Sequence, residues 1–402
     1  MFSRLCKSSR VRWSLGVFLF GVLLTSLTMR HLTERNDQQV RSALDDVADD
    51  VRDQVLDRLR IYEYSLIGMR DVVVVAGGGL SRELLGDYGR VHDLGQEFRG
   101  ARGVGFIRRV PEGEEAAFLA KARADGAPEF TIHPFVPHAG DRYVVQYLEP
   151  AWRNLKAIGM DAASDPIRRE AAVLSMRHAD IHLTGPLQLQ ASSPPEPGFL
   201  MLLPIYQGGR PPVEPNAREA ATLGWSYVPL SIEEMFGSLR LNIPGVIIRL
   251  SDVTVPEAPS LFYRQGEDEQ EAEGLSERRL VQEVYGRQWQ LAFTATPTFV
   301  AAQHLVSVPL VHLVGKLVSL LAAGLTFAVL TTRQRRRQYQ QDQANLTAVV
   351  ESSSDGIISK DLNGVVLSWN HAAEELFGYP ASEAVGQRLL DLVVPTELEH
   401  EE

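Results

Sequence analysis

Apolar and polar positions alternate on three different scales along this chain, and each scale predicts a different element. Two runs are apolar on every face: "WSLGVFLFGVLLTSLTM", residues 13–29, and "LVSVPLVHLVGKLVSLLAAGLTFAVLTT", residues 305–332. At about 1.5 Å of rise per residue each can cross a hydrocarbon core about 30 Å thick as a helix, the first only just. A basic start and a short apolar core also fit a signal peptide. Here "RHLTERND" follows without a small-residue cleavage site, so an uncleaved anchor is expected. In the second run His312 and Lys316 stand one helical turn apart. Near the end of a span the lysine stem reaches the headgroups, and neither residue requires a role in transport.

Residues 30–74 follow the second scale. Val40, Leu44, Val47, Val51, Val55, Leu59, Tyr62 and Leu66 recur every three or four positions, with Asp and Arg on the other faces. This is an amphipathic stalk helix. Its stripe can pair with a second copy as a coiled coil or pack on its own domain; pairing is the expectation. The third scale, short runs between turn residues, fills residues 75–304. "ARGVGFIRRV", "RYVVQYLEP", "FLMLLPIYQ", "ATLGWSYVPLS", "IPGVIIRLSDV", "SLFYRQ" and "RQWQLAFTATP" predict strands. "GEEAAFLAKARADG" predicts a helix closed by Gly126, and "DPIRREAAVLSMRHA" one capped by Asp165 with Pro166 in its first turn. The stretches 192–198 and 207–217 read as loops.

Charge turns the two spans into a topology. Arg4, Lys7, Arg10 and Arg12 precede the first, and Arg333, Arg335, Arg336 and Arg337 follow the second. Arg30, Arg35 and Arg41 follow the first, and Arg287 alone stands in the stretch before the second. The positive-inside rule therefore puts residues 1–12 and the segment from 333 onward in the cytoplasm. Residues 30–304 are expected outside, the topology of a receptor in the inner (plasma) membrane. The net charge of −11 argues against a nucleic-acid partner. Cys6 is the only cysteine, which excludes an intrachain disulfide and a cysteine metal site.

Candidate chemistry is sparse. In "VVVVAGGGLSRE", Gly77 and Gly79 fit the first two places of a dinucleotide fingerprint, but Arg82 occupies the third, so a helix end or turn is predicted. His178 and His182 have the i, i+4 spacing of zinc ligands, yet Ala179 stands where a metalloprotease has Glu and no third ligand is near. His133 and His138 are separated by prolines in a loop. No metal or cofactor is expected.

"RGVGFIRRVP", "AKARADGAPEFTI", "DRYVVQYLEP", "IGMDAASDPIRREAAV", "HLTGPLQL" and "GFLMLLPIY", in that order, resemble the CHASE domain. This is the extracytoplasmic ligand-sensing domain of plant cytokinin receptors and many bacterial sensor kinases and cyclases. The resemblance implies an α/β (α+β) fold in which a long helix is followed by two PAS-like subdomains, with a small-molecule ligand in the distal one. It implies ligand contacts at Asp141 and Tyr143 in "GDRYVV", at Ile158 in "AIGMD" and at Thr184. An acid beside an aromatic and an aliphatic wall would suit a flat ligand with N–H donors. Asp141 also reads as an ordinary strand-edge carboxylate, since "HAG" before it marks a turn. Asp161 and Asp165 would cap and brace the loop.

Past the second span, residues 333–350 are polar, Gln-rich and helix-compatible, with Leu346, Val349 and Val350 as a narrow seam; a signalling helix is expected. "GIISKDLNGVVLSWNHAAEELFGYPASEAVGQ" resembles the start of a PAS domain. Asn363-Gly364 predicts a two-residue hairpin turn, "HAAEELFGY" a short helix, and Ser382 an N-cap. His371 reads as a solvated residue. Residues 351–402 would supply about half of a PAS fold, whose sheet needs three further strands. The function this implies is a membrane receptor, expected as a homodimer, that relays a small extracytoplasmic ligand to the cytoplasmic PAS module. Two other readings stay open: the N-terminal part of a sensor histidine kinase or of a diguanylate cyclase or phosphodiesterase, and a truncated decoy receptor. No catalytic site is visible, and a histidine kinase is the expected output if the protein is longer.

Overall fold

The computed structural model describes residues 9–77, 80–91, 94–190, 194–266 and 276–393, so Arg4, Cys6, Lys7, Gly79 and part of the 192–198 loop lie outside the described residues. The chain forms two compact units, Glu34–Val306 on one hand and Met1–Thr33 with Ser307–Glu402 on the other.

The first unit is organised by helix α1 (Ser9–Ala76), which carries both the first apolar run and the stalk pattern without a break. Gly77, at a φ of +52°, follows its last turn, so "VVVVAGG" is a helix end. Along α1 the stripe Val40, Leu44, Val51, Val55, Leu59, Tyr62 and Leu66 is buried within the one chain. These side chains share a core with Phe106, Met201, Val228, Ile248 and Trp289. The stripe is therefore covered by the chain's own strands and is not open to a second copy. Helical periodicity reveals a face to be buried but not what buries it.

The larger sheet runs β2 (His133–Pro134), β4 (Met160–Asp161), β3 (Arg142–Glu149), β1 (Val104–Val110), β8 (Thr222–Ser231), β7 (Glu196–Tyr206), β5 (His182–Leu183), with β6 (Leu187–Leu189) also on β7. Strand β7 is buried on both faces, and the strand period of two divides it between two cores. Phe199, Met201, Leu203 and Ile205 join the α1 core. Leu200 and Leu202 join a second core with Tyr143, Ala172, Met176, Trp225 and Tyr227, under the helix Pro166–His178. The second sheet runs β10 (Ser260–Gln265), β9 (Val246–Asp252), β12 (Arg287–Ala295), β11 (Glu277–Val284). Strand β11, "ERRLVQEV", is missing from the sequence reading because its outward positions are charged and exposed. Residues 215–217, read as loop, open the short helix Pro215–Ala221, with Pro215 in its first turn.

In the second unit, the N-terminal part of α1 meets the helix Val308–Glu351, and both are long and apolar enough to cross a membrane. Small residues let the two backbones approach: a Cβ added at Gly21 would clash with Ser319, and one at Gly315 with Thr25. Gly315→Ile is expected to push the two helices apart and to reduce several-fold the chemical cross-linking of cysteines placed on their facing sides. Cross-linking unchanged by isoleucine would mean that this contact does not hold the helices.

In the same unit β13 (Ile358–Lys360) pairs with β14 (Val366–Trp369). The turn between them differs from the expected two-residue hairpin. Asp361 Oδ1 accepts from Asn363 N at 2.9 Å and Val365 N at 2.8 Å, and Gly364 takes the positive φ while Asn363 does not. The aspartate draws the chain into a longer Asx-type loop. Helix His371–Phe377 begins at the N-cap Asn370 and ends at Gly378, in the left-handed region. Pro380, rather than Ser382, occupies the N-cap of the next helix, Ala381–Ala384. His371 is exposed beside Glu374 and Glu375.

Candidate functional site

The candidate site lies between the larger sheet and the helix Pro166–His178, here α2. This helix starts as its sequence dictates: Asp165 is the N-cap, its side chain accepts from Arg168 N at 3.0 Å, and Pro166 fills the first turn. The Arg168 guanidinium, on the first turn, lies over the sheet. It is 6% exposed, pairs with Asp165 Oδ2 at 3.0 Å, donates to Gln188 O at 2.8 Å and sits 4.5 Å from the centre of the Phe135 ring. Below it is a cavity lined by Ile107 and Val145 on β1 and β3, Leu200 on β7, Tyr227 and Pro229 on β8, and Met160 and Ala162 on β4 and the turn after it. The atom-free space is about 440 Å³ with its open mouth included, but only about 40 Å³ of it admits the centre of a water molecule. The site is a slot.

Its walls are apolar with few polar groups. Tyr227 is 2% exposed, and among the described residues its hydroxyl is buried without a hydrogen-bond partner. Burial pushes the Tyr227 hydroxyl pKa well above the usual tyrosine value, partly opposed by the nearby Arg168 charge, so the group keeps its proton. Burial likewise lowers the Arg168 pKa from its ordinary value, against the pull of Asp165. Gly105 makes room here: it pairs with Tyr227 across the sheet, and a Cβ would sit 2.7 Å from the tyrosine ring.

The segment carrying Met160 and Ala162, β4 and the turn after it, is fixed by Asp161, which is fully buried. Its carboxylate accepts from Tyr143 N at 2.9 Å and Ala163 N at 3.0 Å and meets His138 Nε2 at 2.7 Å. The expected capping and bracing by Asp161 and Asp165 is what these contacts do.

The four residues taken from the resemblance stand around this slot, outside its lining among the described residues. Asp141 sits before β3, held by Arg109 (Nε–Oδ2 2.7 Å) and Glu112 N. Tyr143 is buried against Trp225, ring centres 4.5 Å apart. Ile158 packs at the seam of two apolar clusters, next to the lining residue Ala157. Thr184 is fully buried and holds the cavity wall: its N donates to Leu200 O, and its Oγ1 accepts from Leu200 N, both at 2.9 Å. Sequence reasoning missed Arg168 and Tyr227. The period of two that puts Trp225 and Tyr227 on one face of β8 was the available signal for the tyrosine. The rings of His178 and His182 face each other, Nδ1 to Nε2 3.1 Å, at the far end of α2.

Residues 79–263 match the family model of the CHASE domain, and residues 344–402 match that of the PAS fold. No curated protein matches the chain. Among solved structures, methyl-accepting chemotaxis protein X is 13% identical, covering 65% of this chain and 99% of its own, at a TM-score of 0.39. The periplasmic sensory domain of the Campylobacter jejuni chemoreceptor Tlp1 is 9% identical, covering 67% and 98%, at 0.41. The E. coli DhaR(N)–DhaL complex is 14% identical, covering 39% and 63%, at 0.16. The chain is thus a signal-transduction sensor with a CHASE domain at residues 79–263 and a PAS sequence at residues 344–402.

Proposed function

We propose that this chain is a membrane receptor that takes a small molecule into the slot beneath Arg168 and passes its occupancy to α1. The Tyr227 hydroxyl, buried without a hydrogen-bond partner among the described residues in a mostly apolar cavity of a sensory domain, carries this reading. Direct contact falls to Arg168, Tyr227 and the cavity wall, while Tyr143, Ile158 and Thr184 support that wall from behind and Asp141 pairs with Arg109 outside the lining. Both spans cross the inner membrane, with Glu34–Val306 outside and both basic flanks inside. A reporter fused after residue 200 is expected to be active only outside the cytosol.

A continuous set of hydrogen bonds supports the relay. Leu200, in the cavity wall, is bonded to Thr184; Leu183 N donates to Tyr285 O at 3.0 Å; and Tyr285 Oη donates to Glu63 Oε2 on α1 at 2.9 Å. Tyr285 holds a φ of +45°, a strained value for a tyrosine. Two copies would pair through the exposed Leu346 and Val349 of the helix Val308–Glu351, since the α1 stripe is already covered.

The test is a thermal-shift screen of the full chain in lipid nanodiscs. Binders are expected to stabilise the wild type by several degrees and to lose that effect in Ala162→Leu, which fills the slot. Ligand-induced protection of α1 amides near Glu63 should disappear in Tyr285→Phe. Binders indifferent to Ala162→Leu would locate the site elsewhere.

A further inference from the structure

The polar groups in the slot point to the chemistry of what enters it. Among the described lining residues there is no carboxylate. Arg168 is donor-only, and Asp165 and Gln188 already occupy part of its fork. The Tyr227 hydroxyl retains its proton and has no acceptor among the described residues. Gln190 adds one amide, whose oxygen is the one side-chain acceptor among the described lining residues besides the tyrosine hydroxyl itself, while Ile107, Val145, Met160, Leu189 and Leu200 have only hydrocarbon or thioether surface to offer. An amine, or the donor edge of a purine, would set its N–H groups against the Arg168 and Tyr227 donors, with the Gln190 amide as the one side chain able to accept from it. A ligand oxygen would satisfy the orphan hydroxyl.

We infer that the slot selects a slender, largely apolar molecule ending in an acceptor oxygen, a carboxylate or a carbonyl, bound by the Tyr227 hydroxyl and the Arg168 guanidinium. This rests on the proposed binding role of the slot. It differs from the flat, donor-bearing ligand that Asp141 implied, because Asp141 is engaged by Arg109 and Glu112 and lies outside the lining.

The probes are hexanoate, hexanamide and hexylamine, which share one chain and differ in the head, each titrated to millimolar concentration against the full chain in nanodiscs. Hexanoate and hexanamide are expected to bind at least tenfold more tightly than hexylamine; the ratio of the first two separates a carboxylate from a carbonyl requirement. Tyr227→Phe is the decisive variant. It removes a buried group that lacks a partner, so the unliganded protein should melt no lower than wild type, while hexanoate and hexanamide each weaken about tenfold. A tyrosine needed only for packing would not separate these two readouts. Hexylamine binding as tightly as hexanoate, yet abolished by Ala162→Leu, would overturn the acceptor class and leave the slot in place. Acceptor binding unaffected by Tyr227→Phe would overturn it as well. Failure of all three probes at millimolar concentration overturns this ligand class, and binding indifferent to Ala162→Leu overturns the slot itself.

Discussion

Replacing Asp161 by alanine is expected to destabilise the Glu34–Val306 unit by about 3–5 kcal/mol, among the largest losses from any single carboxylate in it. The carboxylate is fully buried, and its removal strands the amides of Tyr143 and Ala163 and the His138 ring. Each buried donor left without a partner costs about 1–3 kcal/mol. Water cannot easily replace the lost oxygens, because the site is closed. Asp161→Asn keeps one acceptor oxygen and should lose less. Asp141→Ala is the contrasting case: its carboxylate is 25% exposed beside Arg109, and a partly solvated pair contributes about 1 kcal/mol or less. Urea midpoints of the full chain in nanodiscs, followed by circular dichroism, rank the three. A loss in Asp161→Ala no greater than in Asp141→Ala would refute the bracing role.

The consequence extends to the slot, since Met160 and Ala162 flank Asp161 and line it. A segment released at Asp161 no longer holds those side chains against the sheet. Binding of hexanoate should therefore weaken in Asp161→Asn even where the fold survives.

What could be read from the sequence, and what could not, follows from the range of each signal. The strands "RYVVQYLEP" and "FLMLLPIYQ" and the Asp165–Pro166 helix start are local patterns, and the structure places a strand or a helix at each. Edge strand β11 was hidden because three of its first residues are charged and exposed, which reads as loop. The α1 stripe was legible as a buried face, but burial by strands distant in sequence leaves the same period as burial by a second helix. The slot was the least legible feature. Its lining runs from Ile107 to Pro229 with no shared motif. Arg168 in "DPIRREAAV" looks like any charge on a helix surface, and only the sheet below it makes that charge a buried one. An unpartnered hydroxyl is a property of the packed molecule, and no pattern of residue types encodes it.

Trp225→Ala is expected to have an effect of about 3–5 kcal/mol by a different route, the cavity left by a large buried aromatic. Trp225 is fully buried on β8. Its ring lies 4.5 Å from that of Tyr143, centre to centre, and its Nε1 donates to Ala172 O on α2 at 3.1 Å. One side chain thus ties the strand that carries Tyr227 to the helix that carries Arg168. Phenylalanine at this position restores most of the volume and loses the N–H bond, so Trp225→Phe should cost about 1–2 kcal/mol, the loss of packing fit and one hydrogen bond. Tyr143→Phe should cost less again, because the ring contact survives. Hexanoate affinity should follow the same order, since the wall and the donor shift together. The measurement is again the urea midpoint, read by circular dichroism because the variant removes a fluorophore. If Trp225→Ala cost under about 1 kcal/mol, the sheet and α2 would be held by something other than this contact, and the slot would not depend on it.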